Sequence, residues 1–433
     1  VYTNSSQIKV GFIHNAFPVL SETFISKEMI GLDQLGLSLR IYSLFYPVAE
    51  RRDTSFPDRF PVYYLLEFLR PLALISNHIW FSFRYPRAYF RTLMFARRKR
   101  HTRHSLIRLL FFFRKKNVSK SQRQDLLLHF VLAVPLALQI KRDGITFINA
   151  HFTDAAAGFA MLAARLLDIE FGLTAHAYDI FTPQYNRIEK LEFARFILTC
   201  TRFNKKTLLE QNHFLNPDKI TVMYHGIDLE KFQRVDRNPH DGFNILSVGR
   251  LVPKKGFDVL IDACRLLQLR GAEFTCRIIG DGPMRSDLEE QVNQNSLFER
   301  IEWVGSVPSS DIVSYYEAAD VFVLPCVVEA DGNRDGIPNV IAEAMAMELP
   351  VISSEISGIP ELVVHNETGF LLQPHDSDAV ARAIATLVSD RHLSRHMGKA
   401  GRQRIKLVFD SKNCLERLYQ FYLKELGNAD TAS

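Results

Sequence analysis

Cysteine is scarce in this chain: five residues in 433, at Cys200, Cys264, Cys276, Cys326 and Cys414, with no Cys-x-x-Cys pair among them. That scatter excludes a zinc ribbon and a disulfide scaffold, and it predicts buried, reduced thiols in a cytoplasmic protein. Long apolar runs are missing too. The best, Pro71 to Phe83 and Leu126 to Ile140, contain His78, or His129 with Pro135, and fall short of the roughly 20 residues that a membrane-crossing helix needs. Val10 to Ile13 is too short for the apolar region of a secretory signal, and His14 and Asn15 follow at once. There is no repeat of solenoid period and no low-complexity tract. Two local absences matter more: no acidic residue lies between Glu67 and Asp125, and no glycine between Gly11 and Gly31.

What is present suits an α/β protein. A hydrophobic content of 47% and a length of 433 residues allow two or three domains with substantial cores, and the formal charge is only +5. The most informative stretch runs from Asp335 to Gly369. Asp335 precedes the turn-prone Gly336-Ile337-Pro338, after which Asn339 to Ala346 follows a helical pattern, so Asp335 falls in a loop and Glu343 a turn or more into the helix. A helix N-terminus favours anions such as a diphosphate, and carboxylates beside it accept hydrogen bonds from sugar and ribose hydroxyls. Upstream, Asn244 to Val248 reads as a buried strand ending in Gly249-Arg250, and Lys255-Gly256-Phe257 opens an amphipathic helix. Arg250 and Lys255 therefore stand at a strand's carboxyl end, where open α/β sheets bind ligands and where two fixed cations can neutralise a leaving diphosphate without metal. The Gly-Lys-Ser/Thr ending of a P-loop is absent.

The spacing of Asp335 and Glu343 resembles the Glu-x7-Glu motif of the family-4 retaining glycosyltransferases, with an aspartate in place of the first glutamate, and Arg250 with Lys255 resembles that family's Arg-x4-Lys pair. Arg277 to Pro283, Val321 to Pro325, Val351 to Ser353, Gly358 to Leu362 and Gly369 to Leu371 add strand and turn signals in the family's order. The resemblance implies a GT-B fold: two facing Rossmann-like α/β domains with parallel sheets and a C-terminal helix that crosses back to the first domain. It suggests an acceptor-binding domain over 1–235, a nucleotide-sugar-binding domain over 236–407 and a helical tail over 408–433, with the polar stretch from Gln233 to Asp241 as linker.

In the first half, Ile8 to Ile13 is a buried-strand pattern followed by Pro18-Val19-Leu20-Ser21-Glu22-Thr23-Phe24, where Ser21 is expected to cap a helix. That form resembles the exopolysaccharide-assembly, colanic-acid-type branch of the family. Thr146 to His151 reads as a strand ending in a histidine, and Phe171 to Ala175 leads to His176-Ala177-Tyr178-Asp179. Thr-Ala-His-Ala-x-Asp matches the family's active-site histidine, whose position implies contact of His176 with the transferred sugar. His151 reads as structural, and Asp179 either orients the His176 loop or caps the next helix. Asp376-Ser377-Asp378 has the D-x-D form that holds metal in the other large transferase fold, but it precedes an amphipathic helix and reads as capping.

The span from Arg84 to Arg123 holds about fourteen Lys and Arg interleaved with Tyr85, Phe90, Phe95 and Phe111 to Phe113, so the rest of the chain is net negative. No nucleic-acid recognition motif accompanies it; it reads as a membrane-docking face, since cations beside exposed aromatics suit an anionic bilayer, or as a solvated helical insertion.

The resemblance thus implies a metal-independent, retaining hexosyl transfer from a nucleoside diphosphate sugar, UDP-sugar favoured over GDP-sugar, to a saccharide or lipid-linked acceptor, with no resident cofactor. Arg250 and Lys255 would stabilise the departing diphosphate, Asp335 with the amides of Gly336, Ile337 and Pro338 would hold the sugar, Glu343 would bind ribose, and His176 would contact the sugar. The expected location is cytoplasmic, at the inner face of the cell membrane. A sugar-nucleotide epimerase of the same fold and a non-catalytic subunit of a polysaccharide assembly complex are the alternatives.

Overall fold

The computed structural model describes residues 9–49, 52–54, 56–66, 71–98, 126–234 and 242–427. The chain forms two compact units, one of Val1–Thr199, Lys205–Met223 and Leu415–Ser433, the other of Cys200–Asn204 and Tyr224–Cys414.

In the first unit, β1 (Lys9–Ala16), β2 (Ser38–Phe45), β3 (Val62–Tyr64), β4 (Phe147–His151), β5 (Glu170–Ala175), β6 (Ile197–Thr199) and β7 (Ile220–Val222) make a parallel sheet in the order β3-β2-β1-β4-β5-β6-β7. Every residue of Phe147–His151 is buried, as expected where both faces of a parallel sheet are covered. One cover is the pair of helices Leu126–Arg142 and Ala155–Leu167, whose alanine-rich contact lets them approach closely. The other includes helix Thr23–Gln34 and the terminal helix Ser411–Gly427, with Leu418, Tyr422 and Leu426 in one core with Phe12, Met29 and Phe147.

The second unit repeats the plan. Strands β8 (Asn244–Val248), β9 (Thr275–Ile279), β10 (Ile301–Gly305), β11 (Val321–Leu324), β12 (Val351–Ser354) and β13 (Gly369–Leu372) are parallel in the order β10-β9-β8-β11-β12-β13. In both sheets the strand order reverses beside the first strand, between β1 and β4 and between β8 and β11. Connections leave such a pair in opposite directions, and the crevice at the strands' carboxyl ends is the ligand position of open α/β sheets.

The units divide at Met223/Tyr224 and Cys414/Leu415, where the sequence reading places breaks at 235/236 and 407/408. Packing explains the difference. Ile227 and Phe232 belong to the second core, and Ile227 exchanges backbone hydrogen bonds with Phe409 (2.7 Å) and Ser411 (3.0 Å), so that strip packs with the second unit rather than the first. Most of the expected linker, 235–241, lies outside the described residues. The expected Ser21 cap also differs: a 3-10 turn over Leu20–Glu22 precedes the helix, which starts at Thr23 with Glu22 before it.

Candidate active site

At the reversal point of the second sheet, three tight approaches fix the loops. A Cβ on Gly256 (φ 69°) would lie 2.0 Å from the Pro325 carbonyl oxygen, and one on Gly280 (φ 133°) would lie 2.0 Å from that of Gly249. Only glycine meets both demands, on conformation and on space. The Gly336–Pro338 turn is held by the Gly358 N–H donating to the Gly336 carbonyl at 3.0 Å. The short 3-10 turn Pro253–Lys255 thereby faces the loop before helix Asn339–Ala346.

Lys255 and Asp335 meet there. Lys255 Nζ is 2.5 Å from Asp335 Oδ2, and Lys254 Nζ is 2.9 Å from Asp335 Oδ1, with side-chain exposures of 13, 21 and 16% for Lys255, Lys254 and Asp335. Burial pushes the Asp335 carboxyl up, but the two ammonium groups outweigh it and hold it below its ordinary value. Burial likewise works against the Lys255 charge, and the Asp335 carboxylate more than restores it. Burial pushes the neighbouring Cys326 thiol up to about 12, so it stays protonated. Arg250 stands exposed just past β8. Glu329 accepts from Lys254 N at 3.1 Å, so two lysines and two carboxylates meet in the loop cluster.

Glu343 lies on the helix, where Tyr316 Oη donates to its Oε2 at 2.9 Å. Burial and then the Glu343 charge raise the Tyr316 phenol well above its usual range, so it remains a donor. Asp376 accepts from Ala379 N at 2.8 Å and caps its helix, while Asp378 pairs with Arg270 and Arg382. Glu361 accepts from the N–H groups of Arg202 and Phe203 and from the Tyr224 hydroxyl, pinning a backbone turn.

In the first unit, His14 and His151 lie on strands β1 and β4 at the reversal point, and His176 follows β5; all three are buried. Asp179 settles its alternative: its carboxylate accepts from Thr153 N (2.8 Å) and His176 N (3.0 Å), so it orients the His176 loop. Lys190, fully buried, donates to the carbonyls of Thr153, Asp154 and Tyr185 at 2.8, 2.7 and 3.0 Å. Replacing it, as Lys190→Met, leaves three carbonyls without their donor. The expected loss is about 2–4 kcal/mol of unfolding free energy, read as a lower urea midpoint at unchanged slope.

Comparison with known proteins finds glycosyltransferase models in both halves of the chain. The model described as Glycosyl transferases group 1 matches residues 228–404, and that described as Glycosyltransferase Family 4 matches residues 110–231. Both halves of the chain thus resemble glycosyltransferases. The amylovoran biosynthesis glycosyltransferase AmsK of Erwinia amylovora is 43% identical over 171 residues, 39% of this chain and 42% of that protein. The colanic acid biosynthesis glycosyltransferase WcaL of Escherichia coli, itself named as putative in that role, is 41% identical over 169 residues, again 39% and 42%. The matched stretch thus spans less than half the length of these relatives. A cyanobacterial sucrose-phosphate synthase from Thermosynechococcus elongatus shares the fold, with a TM-score of 0.70 at 18% identity over 97% of this chain and 99% of that one. The fold is GT-B, with two Rossmann-like parallel-sheet units.

Of the site residues read from sequence, the family structure brings Lys255 and Asp335 into contact, sets Gly336 to Pro338 before the helix that carries Glu343, and leaves Arg250 exposed on the neighbouring loop. His176 belongs to the first unit. Sequence reasoning missed Lys254, Tyr316 and Lys190. A second lysine beside Lys255 and an aromatic twenty-seven residues before Glu343 carry no spacing signal, and only the folded loop gives them partners.

Proposed function

We propose that the chain is a retaining, metal-independent glycosyltransferase that moves a hexose from a nucleoside diphosphate sugar to a saccharide or lipid-linked saccharide in polysaccharide biosynthesis. The observation that carries this reading is the Lys254–Asp335–Lys255 cluster at the reversal point of the second sheet. Two enclosed ammonium groups before a helix start suit a diphosphate, and the carboxylate between them suits sugar hydroxyls. Arg250 and Lys255 take up charge as the bond from the anomeric carbon to the diphosphate oxygen breaks. Glu343 holds ribose, Asp335 with the Gly336 to Pro338 backbone holds the sugar, and His176 contacts it. The freed phosphate oxygen takes the acceptor hydroxyl's proton as that oxygen bonds the anomeric carbon on the same face. The relatives' roles in amylovoran and colanic acid synthesis support an extracellular-polysaccharide product.

Product analysis tests the reaction. With acceptor and a UDP-sugar in EDTA, NMR of the product is expected to show the donor's anomeric configuration. Inversion refutes retention, dependence on added Mg²⁺ or Mn²⁺ refutes the metal-free reading, and release of free or epimerised sugar without acceptor favours the epimerase.

We further propose that the first unit docks on an anionic membrane. Helix Pro71–Arg84 exposes Leu72 (82%), Ile75, Ile79, Trp80 and Phe83 (83%) on a surface with Phe90 and Met94 of helix Pro86–Arg98. Arg84, Arg87, Arg97 and Arg98 flank it, and no acid occurs from 68 to 124. Apolar insertion beside cations is the combination anionic lipid recruits, each cation contributing about 1 kcal/mol. No described helix is long and apolar enough to cross a membrane. The rest of the basic stretch, 99–123, lies outside the described residues. Cosedimentation with anionic vesicles is expected to fall in high salt and on replacing Arg97, Arg98, Lys99 and Arg100 with serine, and to fall separately for Leu72→Ser with Phe83→Ser. Equal binding to neutral and anionic vesicles refutes the charge component.

A further inference from the structure

Behind His176 the first unit buries a file of titratable side chains for which the transfer chemistry gives no reason. His176 Nε2 lies 3.1 Å from His151 Nδ1, and His151 Nε2 lies 3.6 Å from Glu28 Oε1. At 3.1 Å one of two neutral imidazoles donates and the other accepts, so the tautomers of the two rings are linked. The second gap is within ion-pair range and a few tenths of an ångström outside a hydrogen bond. Glu28 comes from helix Thr23–Gln34, His151 ends β4 and His176 follows β5, so three separate elements converge to build the file.

The groups packed around it differ in charge at neutral pH. Burial pushes Asp179 up to about 6, so it is a carboxylate, and burial pushes Lys190, which interacts with Asp179, down to about 8. Lys190→Met is therefore a needed control for the titration. His14 of β1 stacks on His151 with ring centroids 4.9 Å apart, and burial pushes its pKa down to about 3, leaving it neutral. Tyr422 of the terminal helix interacts with Glu28, and burial together with that carboxylate holds its phenol well above the usual range. Phe24 and Phe152 face the His176 ring, and Asp179 is engaged by the backbone of His176 and Thr153.

We propose that Glu28 is a positioning residue that sets, through His151, which nitrogen of His176 carries the ring proton, and so whether His176 Nδ1 offers the sugar a donor or an acceptor. The consequence for the sugar rests on the reading of His176 as its contact; the proton file does not. With Glu28 protonated, its O–H faces His151 Nε2, His151 Nδ1–H donates to His176 Nε2, and His176 Nδ1, itself buried, bears the remaining ring proton. Ionisation moves one proton along each link: Glu28 gives its proton to His151 Nε2, His151 Nδ1 gives its own to His176 Nε2, and His176 Nδ1 gives up one, which leaves the protein. One proton leaves in total and every nitrogen keeps a permitted state.

Burial pushes the Glu28 carboxyl up to about 8 from an ordinary 4.5. The folded protein therefore holds this proton where the unfolded chain has lost it, so stability falls as pH rises through that window and recovers nothing above it. Glu28→Gln removes the titration and keeps the shape. It is expected to raise the melting temperature relative to wild type at pH 9, the opposite of what loss of a stabilising ion pair would do.

The direct test uses the full chain with 15N-labelled histidine and long-range 1H–15N correlation from pH 6 to 9.5, His176 being identified by its loss in His176→Gln. The expected result is an Nδ1–H tautomer that converts to Nε2–H with a midpoint near the Glu28 value of about 8. The conversion should vanish in Glu28→Gln and in His151→Asn, and persist in Glu22→Gln, whose carboxyl burial and the Asp154 charge push up to about 7. The readout needs neither donor nor acceptor, so it stands apart from the transfer reaction. A single His176 tautomer across the range in wild type, or an unchanged conversion in Glu28→Gln, overturns the proposal.

Discussion

Lys255→Ala is expected to lower kcat/KM for glycosyl transfer about a hundredfold or more, a loss of roughly 2–4 kcal/mol of transition-state stabilisation. The reason is electrostatic. The diphosphate gains charge as the glycosidic bond breaks, and Lys255 is a cation held at 13% exposure by a 2.5 Å pair with Asp335, so it meets that charge with little reorganisation. Arg250→Ala is expected to act in the same direction and less strongly, because an exposed guanidinium is screened by water. Steady-state kinetics with each variant in EDTA checks this. An unchanged kcat/KM for Lys255→Ala would remove it from the chemistry.

Asp335→Ala has the second large expected effect, and it acts twice. It removes the carboxylate proposed to hold the sugar, and it takes from two mostly enclosed lysines the carboxylate they share. Breaking a buried pair from one side is costly, so a fall of about 2–4 kcal/mol in unfolding free energy is expected beside a hundredfold loss of rate. The pH dependence follows from the directions of the shifts. The Asp335 carboxyl binds its proton more weakly folded than unfolded, so the pair's contribution is complete above the ordinary carboxylate value near 3.8 and is lost as pH falls through the lower folded value. Lys255 binds its proton more tightly folded, so its share persists to about 10.5 and is lost above. The pair's contribution to wild-type stability should therefore be constant from pH 5 to 9. Asp335→Glu restores the family's usual residue but adds a methylene where both oxygens already reach a lysine, and lower activity is expected.

Much of the loop geometry around Asp335 was legible because it is local. Asp335, Gly336, Pro338 and Glu343 sit within nine residues, and the glycine turns at Gly256 and Gly280 are demanded by backbone approaches of 2.0 Å that no side chain tolerates. Glu28 was not legible. An acid in the second turn of an amphipathic helix reads as solvated, and only the convergence of β4, β5 and the terminal helix buries it against His151 and Tyr422. What covers Pro71 to Phe83 was not legible either. Apolar periodicity marks a face but not what covers it, and here Leu72 and Phe83 face outward. The unit boundary moved for a similar reason, since Phe232 looks like a loop aromatic until the second core closes over it.

The central claim, that the second unit binds a nucleoside diphosphate sugar through Lys255 and Glu343, is tested most directly by thermal shift of the full chain against a panel of UDP- and GDP-sugars in EDTA. A ligand at a hundred times its Kd stabilises the native state by about 2.7 kcal/mol, several degrees in a protein of this kind. The account predicts that at least one nucleotide sugar raises the melting temperature of wild type, that Lys255→Ala and Glu343→Ala each diminish the shift, and that bare nucleotide loses its effect in Glu343→Ala but keeps it in Asp335→Ala. A wild-type protein that no nucleotide sugar stabilises at millimolar concentration, or a shift that survives intact in Lys255→Ala and Glu343→Ala, would contradict it.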